Sequence, residues 1–212
     1  SGAILVNGAP LARMPADQKA IYWVPAESLA AAENSPHIEA LRKRGYEVLY
    51  LVDPIDEWIA DALAEFDGTP LAAASKGALE LPDDDAAKQA RAEHEKTLAP
   101  ILARMHTLLD ARVESVRVTD RLTDSPACLV ASEHGMSAHL ERRLRDAGHA
   151  VPDQKRILEL NPTHPVIAKL RTLADSDEPR FQRWTTLLHD QALLAEGVLP
   201  RDPAGFARQV AE

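Results

Sequence analysis

Much that would announce a function is missing from this 212-residue chain. It has one cysteine, Cys128, so an internal disulfide is excluded and a reducing compartment is expected. Nine aromatics are spread over 212 residues, and the nine glycines are scattered, with no G-x-G-x-x-G or P-loop run to cradle a phosphate. No apolar run approaches the ~18–20 residues that cross a bilayer. Positive charge is short: Lys and Arg number 24 against 33 Asp and Glu, a net −9. That balance argues against a nucleic-acid binder and a polybasic membrane anchor. Ser1 in place of an initiator Met reads as a processed or cut piece, with Ser1–Pro10 partly vector-derived.

What remains is an ordinary soluble composition, 45% hydrophobic and 27% charged, long enough for one or two domains. Ile21–Val24 and Glu47–Val52 read as strands around a helix restarted by Ser35-Pro36 and stopped by Gly45. Strand, helix, strand at this spacing predicts a parallel βαβ unit. Asp53-Pro54 opens a further helix in which Ile55, Ile59, Leu63 and Phe66 share one face, with Trp58 at its edge and Asp67-Gly68 at its end. Residues 71–81 are weakly patterned, and Asp83-Asp84-Asp85 is a solvated acidic run at a domain boundary near 82.

A long helix is expected over Ala86–Asp110, kinked or restarted at Pro100. Strands follow at Val113–Val118, Ala127–Ala131 and Arg156–Leu160, with a charged helix at Met136–Ala147 carrying Met136, Leu140 and Leu144 on one stripe. After a helix with Val166, Ile167, Leu170 and Leu173 comes one with Phe181, Trp184, Leu187, Leu188, Gln191 and Ala192, then a short one with Phe206 and Val210.

Chemistry motifs are weak. His134 and His139 are five apart, off the helical metal-pair spacing, so no metal site is expected. Cys128 reads as an inert buried thiol. Asp53, Asp56 and Glu57 suit a helix start, with a small α/β enzyme using them as acid–base groups the alternative. Trp58 reads as partial core or as an exposed contact. The Met136–Leu144 stripe reads either as packed on the sheet or as an open binding helix.

The ordered set Ile21-Tyr22-Trp23, Ser35-Pro36-His37-Ile38-Glu39, Ile55-Asp56-Glu57-Trp58, Arg121-Leu122-Thr123-Asp124-Ser125-Pro126-Ala127, Leu158-Glu159-Leu160-Asn161-Pro162 and Asp190-Gln191-Ala192-Leu193-Leu194-Ala195 resembles the heat shock protein 90 chaperone family in its bacterial form. The resemblance covers about residues 11–212. It implies an α/β plus α+β fold. Residues 11–82 would be the small α/β end of a middle domain, 83–110 a connecting helix, and 111–212 a C-terminal dimerisation domain. The latter would hold a three-stranded sheet, its terminal helices forming a four-helix bundle in the dimer.

The family implies an ATP-driven folding chaperone, with ATP and Mg in the whole protein. The ATP-binding domain has no counterpart in these residues, so the chain itself is expected to be neither an enzyme nor a cofactor binder. It implies a homodimer that binds unfolded or partly folded clients in the cytoplasm, with no nucleic acid and no membrane. The matching client-contact residues are Trp58, Glu57, Asp61, Met136, Leu140 and Leu144; Arg143 stands where an apolar residue is expected, making the patch narrower and more basic. The matching dimer-interface residues are Trp184, Leu187, Leu188, Gln191, Ala192, Leu194, Phe206 and Val210. A pure dimerisation module without a client surface is the other reading, and exposure of Met136, Leu140 and Trp58 separates the two.

Overall fold

A computed structural model describes residues 5–6, 9–10, 14–53, 55–79, 81–82, 85–152 and 154–211. Pro54 at its expected helix start, Asp83 and Asp84 of the acidic run, and most of Ser1–Pro10 lie outside the described residues. Strands β1 (Leu5–Val6) and β2 (Ala9–Pro10) pair antiparallel.

The first large sheet is built on β3 (Ile21–Pro25), whose first four residues are buried. Ser28 caps α1 (Leu29–Glu33), and Ser35 accepts from the His37 amide to start a 3-10 turn, Pro36–Ile38. Then α2 (Glu39–Lys43) ends at Gly45, whose φ of +72° is the left-handed turn that glycine adopts without strain. The chain returns as β4 (Val48–Leu51), parallel to β3 as the βαβ spacing predicts.

The next segment departs from expectation. Helix α3 (Asp56–Ala62) stops short of Phe66, and Ile55, Ile59 and Leu63 are exposed rather than facing a core. Its inward residues are Glu57 and Ala60. Glu65–Phe66 forms β5, and Asp67-Gly68, with φ of 50° and 74°, turns a two-residue hairpin into β6 (Thr69–Ala73). Asp-Gly with both residues at positive φ is a preferred hairpin turn, because its twist matches the strands. β6 pairs parallel to β3, giving the order β4-β3-β6-β5.

One helix, α4 (Asp85–Leu109), runs through Pro100 without a break, where a kink or restart is expected from the sequence. It seats Leu98, Ile101, Met105 and Leu109 in the second core. That core covers a three-stranded sheet, order β7-β9-β8, of β7 (Val113–Val118), β8 (Ala127–Val130) and β9 (Arg156–Leu160). β7 and β9 are parallel, while β8 and β9 are antiparallel. Between β8 and β9 lies α5 (Ala138–Asp146), capped by Ser137; Met136 precedes it rather than belonging to its stripe. α6 (Pro165–Ser176), α7 (Glu178–Ala195) and α8 (Pro203–Ala211) complete the chain.

A buried ionic joint holds the two sheets together. Glu159 on β9 accepts from Arg121 at 2.9 Å and from Arg117 at 2.6 Å. Arg121, only 1% exposed, also donates to the Ala74 carbonyl and, at 2.8 Å, to that of Gly77. Burial pushes the Glu159 carboxyl up, but the two guanidiniums outweigh it and hold the group below its ordinary range. Glu39 on α2 adds its carboxylate to the amides of Thr123, Asp124 and Ser125.

Candidate functional site

The segment around Trp58 is shaped by its start. Asp53 Oδ1 accepts from the Ile55 amide at 3.1 Å, and Asp56 Oδ2 accepts from the Asp53 amide at 3.4 Å. These two carboxylates are spent on the turn into α3, and Glu57 turns inward, so the three do not converge as an acid–base set. Outward, α3 presents Ile55, Trp58, Ile59 and Leu63, which are 58%, 53%, 54% and 39% exposed. These form an apolar ridge, of which the sequence marks only Trp58 as a candidate contact, with Ile55, Ile59 and Leu63 expected as a core-facing stripe.

Glu57 is 2% exposed and cannot meet a large partner directly in this arrangement. It lies 4.0 Å from Lys76 Nζ and 3.6 Å from His139 Nδ1 on α5. Lys76 is clamped by Asp61 at 2.7 Å and sits over the Trp23 ring at 5.5 Å. Asp61 is itself exposed, at the edge of the ridge.

Of the expected stripe, Leu140 on α5 is buried at 7%, while Leu144 on α5 and Met136 ahead of the helix are half-buried. Leu140 is therefore packed rather than presented. α5 is held by Arg142, which reaches Glu27 at 2.6 Å and the Gly197 carbonyl, and by Glu141 paired to Arg156. A cavity of ≈ 170 Å³ lies beneath this joint, lined by His37, Ser75, Ser137, His139, Leu194 and Glu196 among others. His37 Nε2 meets Glu196 Oε1 there at 2.5 Å.

The residues expected at a pairing surface divide into three sets. On α7, Leu188 and Ala192 join Phe181 in the chain's own core, at 3%, 2% and 0% exposure, so they are not surface residues. Trp184, half-buried with part of its ring against that core, and Leu187 and Gln191 turn toward the adjacent side of the helix. With Phe206 and Val210 of α8 they line one open groove of ≈ 560 Å³ between α6, α7 and α8. At 100° per residue, positions 181, 188 and 192 fall on one side of the helix and 184, 187 and 191 on the next. Leu194 belongs to neither; it lines the cavity beneath α5.

Cys128 is fully buried on β8, and burial, then the Glu159 charge, pushes its thiol well above the ordinary range. Among the described residues no group of three or more His, Cys, Asp or Glu is placed to hold a metal ion, and no helix is long and apolar enough to cross a membrane. The hairpin at Asp67-Gly68 and the Arg121–Glu159 joint are the features sequence reasoning missed. The Asp-Gly dipeptide is a signal for the first. The second pairs residues 38 apart and leaves no local signature.

Comparison with known proteins gives a consistent answer. The family model described as Hsp90 protein matches residues 9–212. A chaperone protein HtpG of Albidiferax ferrireducens is 48% identical over 201 residues, covering 94% of this chain and 30% of the relative. Its namesake in Myxococcus xanthus is 48% identical over 202 residues, covering 93% and 31%. That of Magnetococcus marinus is 50% identical over 205 residues, covering 93% and 32%. The chain thus spans about a third of the length of the curated relatives it matches. With the family model matched over nearly its whole length, the chain belongs to the Hsp90 family.

Proposed function

We propose that this chain is the pairing and client-contacting region of an Hsp90-family chaperone, acting in the cytoplasm. Two copies associate through the groove between α6, α7 and α8, so that their terminal helices form a four-helix bundle. Residues 11–82 act as the end of a middle domain, 83–110 as a connecting helix, and 111–212 as the pairing domain. The ATP-driven step, with its ATP and Mg, belongs to the rest of the whole protein. This chain contributes constant proximity of two such units, which raises their effective concentration toward one another.

The observation that carries the client role is the uncovered ridge of Ile55, Trp58, Ile59 and Leu63. Unfolded polypeptides expose apolar segments, and an open ridge without a deep pocket accepts them with little demand on sequence. Trp58 gives the ridge its largest contact area. Met136 and Leu144, half-buried beside the joint, extend the surface, whereas Glu57 and Leu140 act from behind it by holding α3 and α5 in place.

The experiment is a titration of a labelled, permanently unfolded protein with the chain and its Trp58→Arg variant, followed by anisotropy. The reading predicts about tenfold weaker binding by the variant, equivalent to ~1.4 kcal/mol, with the mass in light scattering unchanged. Equal affinity for both proteins overturns it.

A further inference from the structure

The ridge carries a second property, its charge. Between Arg44 and Lys76 the chain has no Lys or Arg, and seven Asp or Glu fall in that interval. Lys76, the first cation after it, is taken up by Asp61 and Glu57. Around the ridge, Asp53 and Asp56 stand at its leading end and Glu65 and Asp67 follow Leu63. Asp53, Glu65 and Asp67 are exposed, and Asp56 is half-exposed. Along the chain, the apolar strip from Ile55 to Leu63 is thus bracketed by carboxylates within two to four residues of each end.

We infer that this face takes unfolded polypeptide segments of a particular class: about four consecutive apolar residues flanked on both sides by Lys or Arg. The length follows from geometry. Eight helical steps from Ile55 to Leu63 span ~12 Å at ~1.5 Å each, which about four residues of extended chain cover at ~3.3 Å each. The flanking charge follows from complementarity. Acidic groups at both ends attract cationic flanks and repel acidic ones, which adds discrimination to an apolar contact that has little of its own. The inference rests on the client role proposed above for the same ridge and specifies which segments it selects.

The test uses two dye-labelled peptides with the same four apolar residues, one flanked by lysines and one by glutamates, titrated with the 212-residue chain. At low salt the Lys-flanked peptide is expected to bind about tenfold tighter, with the difference shrinking toward unity at ~1 M salt, where the Debye length is ~3 Å. Asp56→Asn combined with Glu65→Gln is expected to cut the preference to about threefold, Asp53 and Asp67 keeping their charge at the two ends. Ile59→Ser, at an exposed position, is expected to weaken both peptides with circular dichroism unchanged.

Equal, salt-independent binding of the two peptides that still falls with Ile59→Ser overturns the charge selection and leaves the client role standing. Binding of either peptide that ignores Ile59→Ser overturns both. Absence of peptide binding, with a loss of sedimenting mass in Ile59→Ser, assigns the ridge to a second copy of the chain and likewise overturns the inference.

Discussion

Glu57 and His139 face each other at 3.6 Å across the join of α3 and α5, and neither carboxylate oxygen of Glu57 receives a hydrogen bond from the described residues. Arg143 Nε donates to His139 Nε2 at 3.1 Å, so in the neutral ring the proton lies on Nδ1, the nitrogen nearest the carboxylate. The pair therefore attracts across the joint without the directional bonds that make a buried ion pair rigid. Glu57→Ala is expected to loosen α5. Amide exchange over 141–147 should rise about tenfold, equivalent to ~1.4 kcal/mol of local opening, while exchange in α4 stays the same. Equal acceleration in both helices would mean global destabilisation instead of a local latch.

The Arg121–Glu159 joint sets an acid limit. The folded-state carboxyl of Glu159 lies below the ordinary value of 4.5, so its contribution is complete above that value and is lost as pH falls through the folded-state pKa. Glu159→Gln leaves two guanidiniums short of their countercharge and is expected to cost about 3 kcal/mol at neutral pH. In urea unfolding followed across pH, the gap between the two proteins should be constant above about pH 5 and close on acidification below 4.5.

Gly68, at φ +74° and with nothing within 4 Å of an added Cβ, tests backbone conformation alone. Gly68→Ala is expected to destabilise by about 1 kcal/mol, read as a lower urea midpoint at unchanged slope. A neutral effect would contradict the hairpin turn.

Neighbouring leucines on α7 should behave oppositely. Leu187→Asp places a charge in the open groove and is expected to halve the mass in sedimentation velocity while keeping the helical signal. Leu188→Asp buries a charge in the core and is expected to unfold the chain or cost more than about 4 kcal/mol. A monomeric wild-type chain at micromolar concentration would remove the pairing role.

The leucine pair also shows what a sequence discloses. Apolar spacing on α7 announces a wide stripe, yet the division between a side sealed by the chain's own core and a side left open depends on which elements pack there. The same limit explains α3. Ile55, Ile59 and Leu63 share a face as their spacing says, but periodicity states that a face is apolar and not what covers it. The βαβ unit was legible because Ser35-Pro36 and Gly45 are local signals for where a helix begins and ends. Glu57 beside Trp58 reads as part of one surface in the sequence. One helical step turns it 100° away, into contact with a histidine 82 positions on. Pairings of that kind exist only once α3 and α5 meet, as that of Arg121 with Glu159 exists only once β7 and β9 lie side by side.

The most direct measurement of the client role is hydrogen exchange with and without a saturating, permanently unfolded protein. The account predicts added protection over residues 55–63, a smaller effect around Met136 and Leu144, and none in α4. Full client binding with no protection over 55–63 would contradict it.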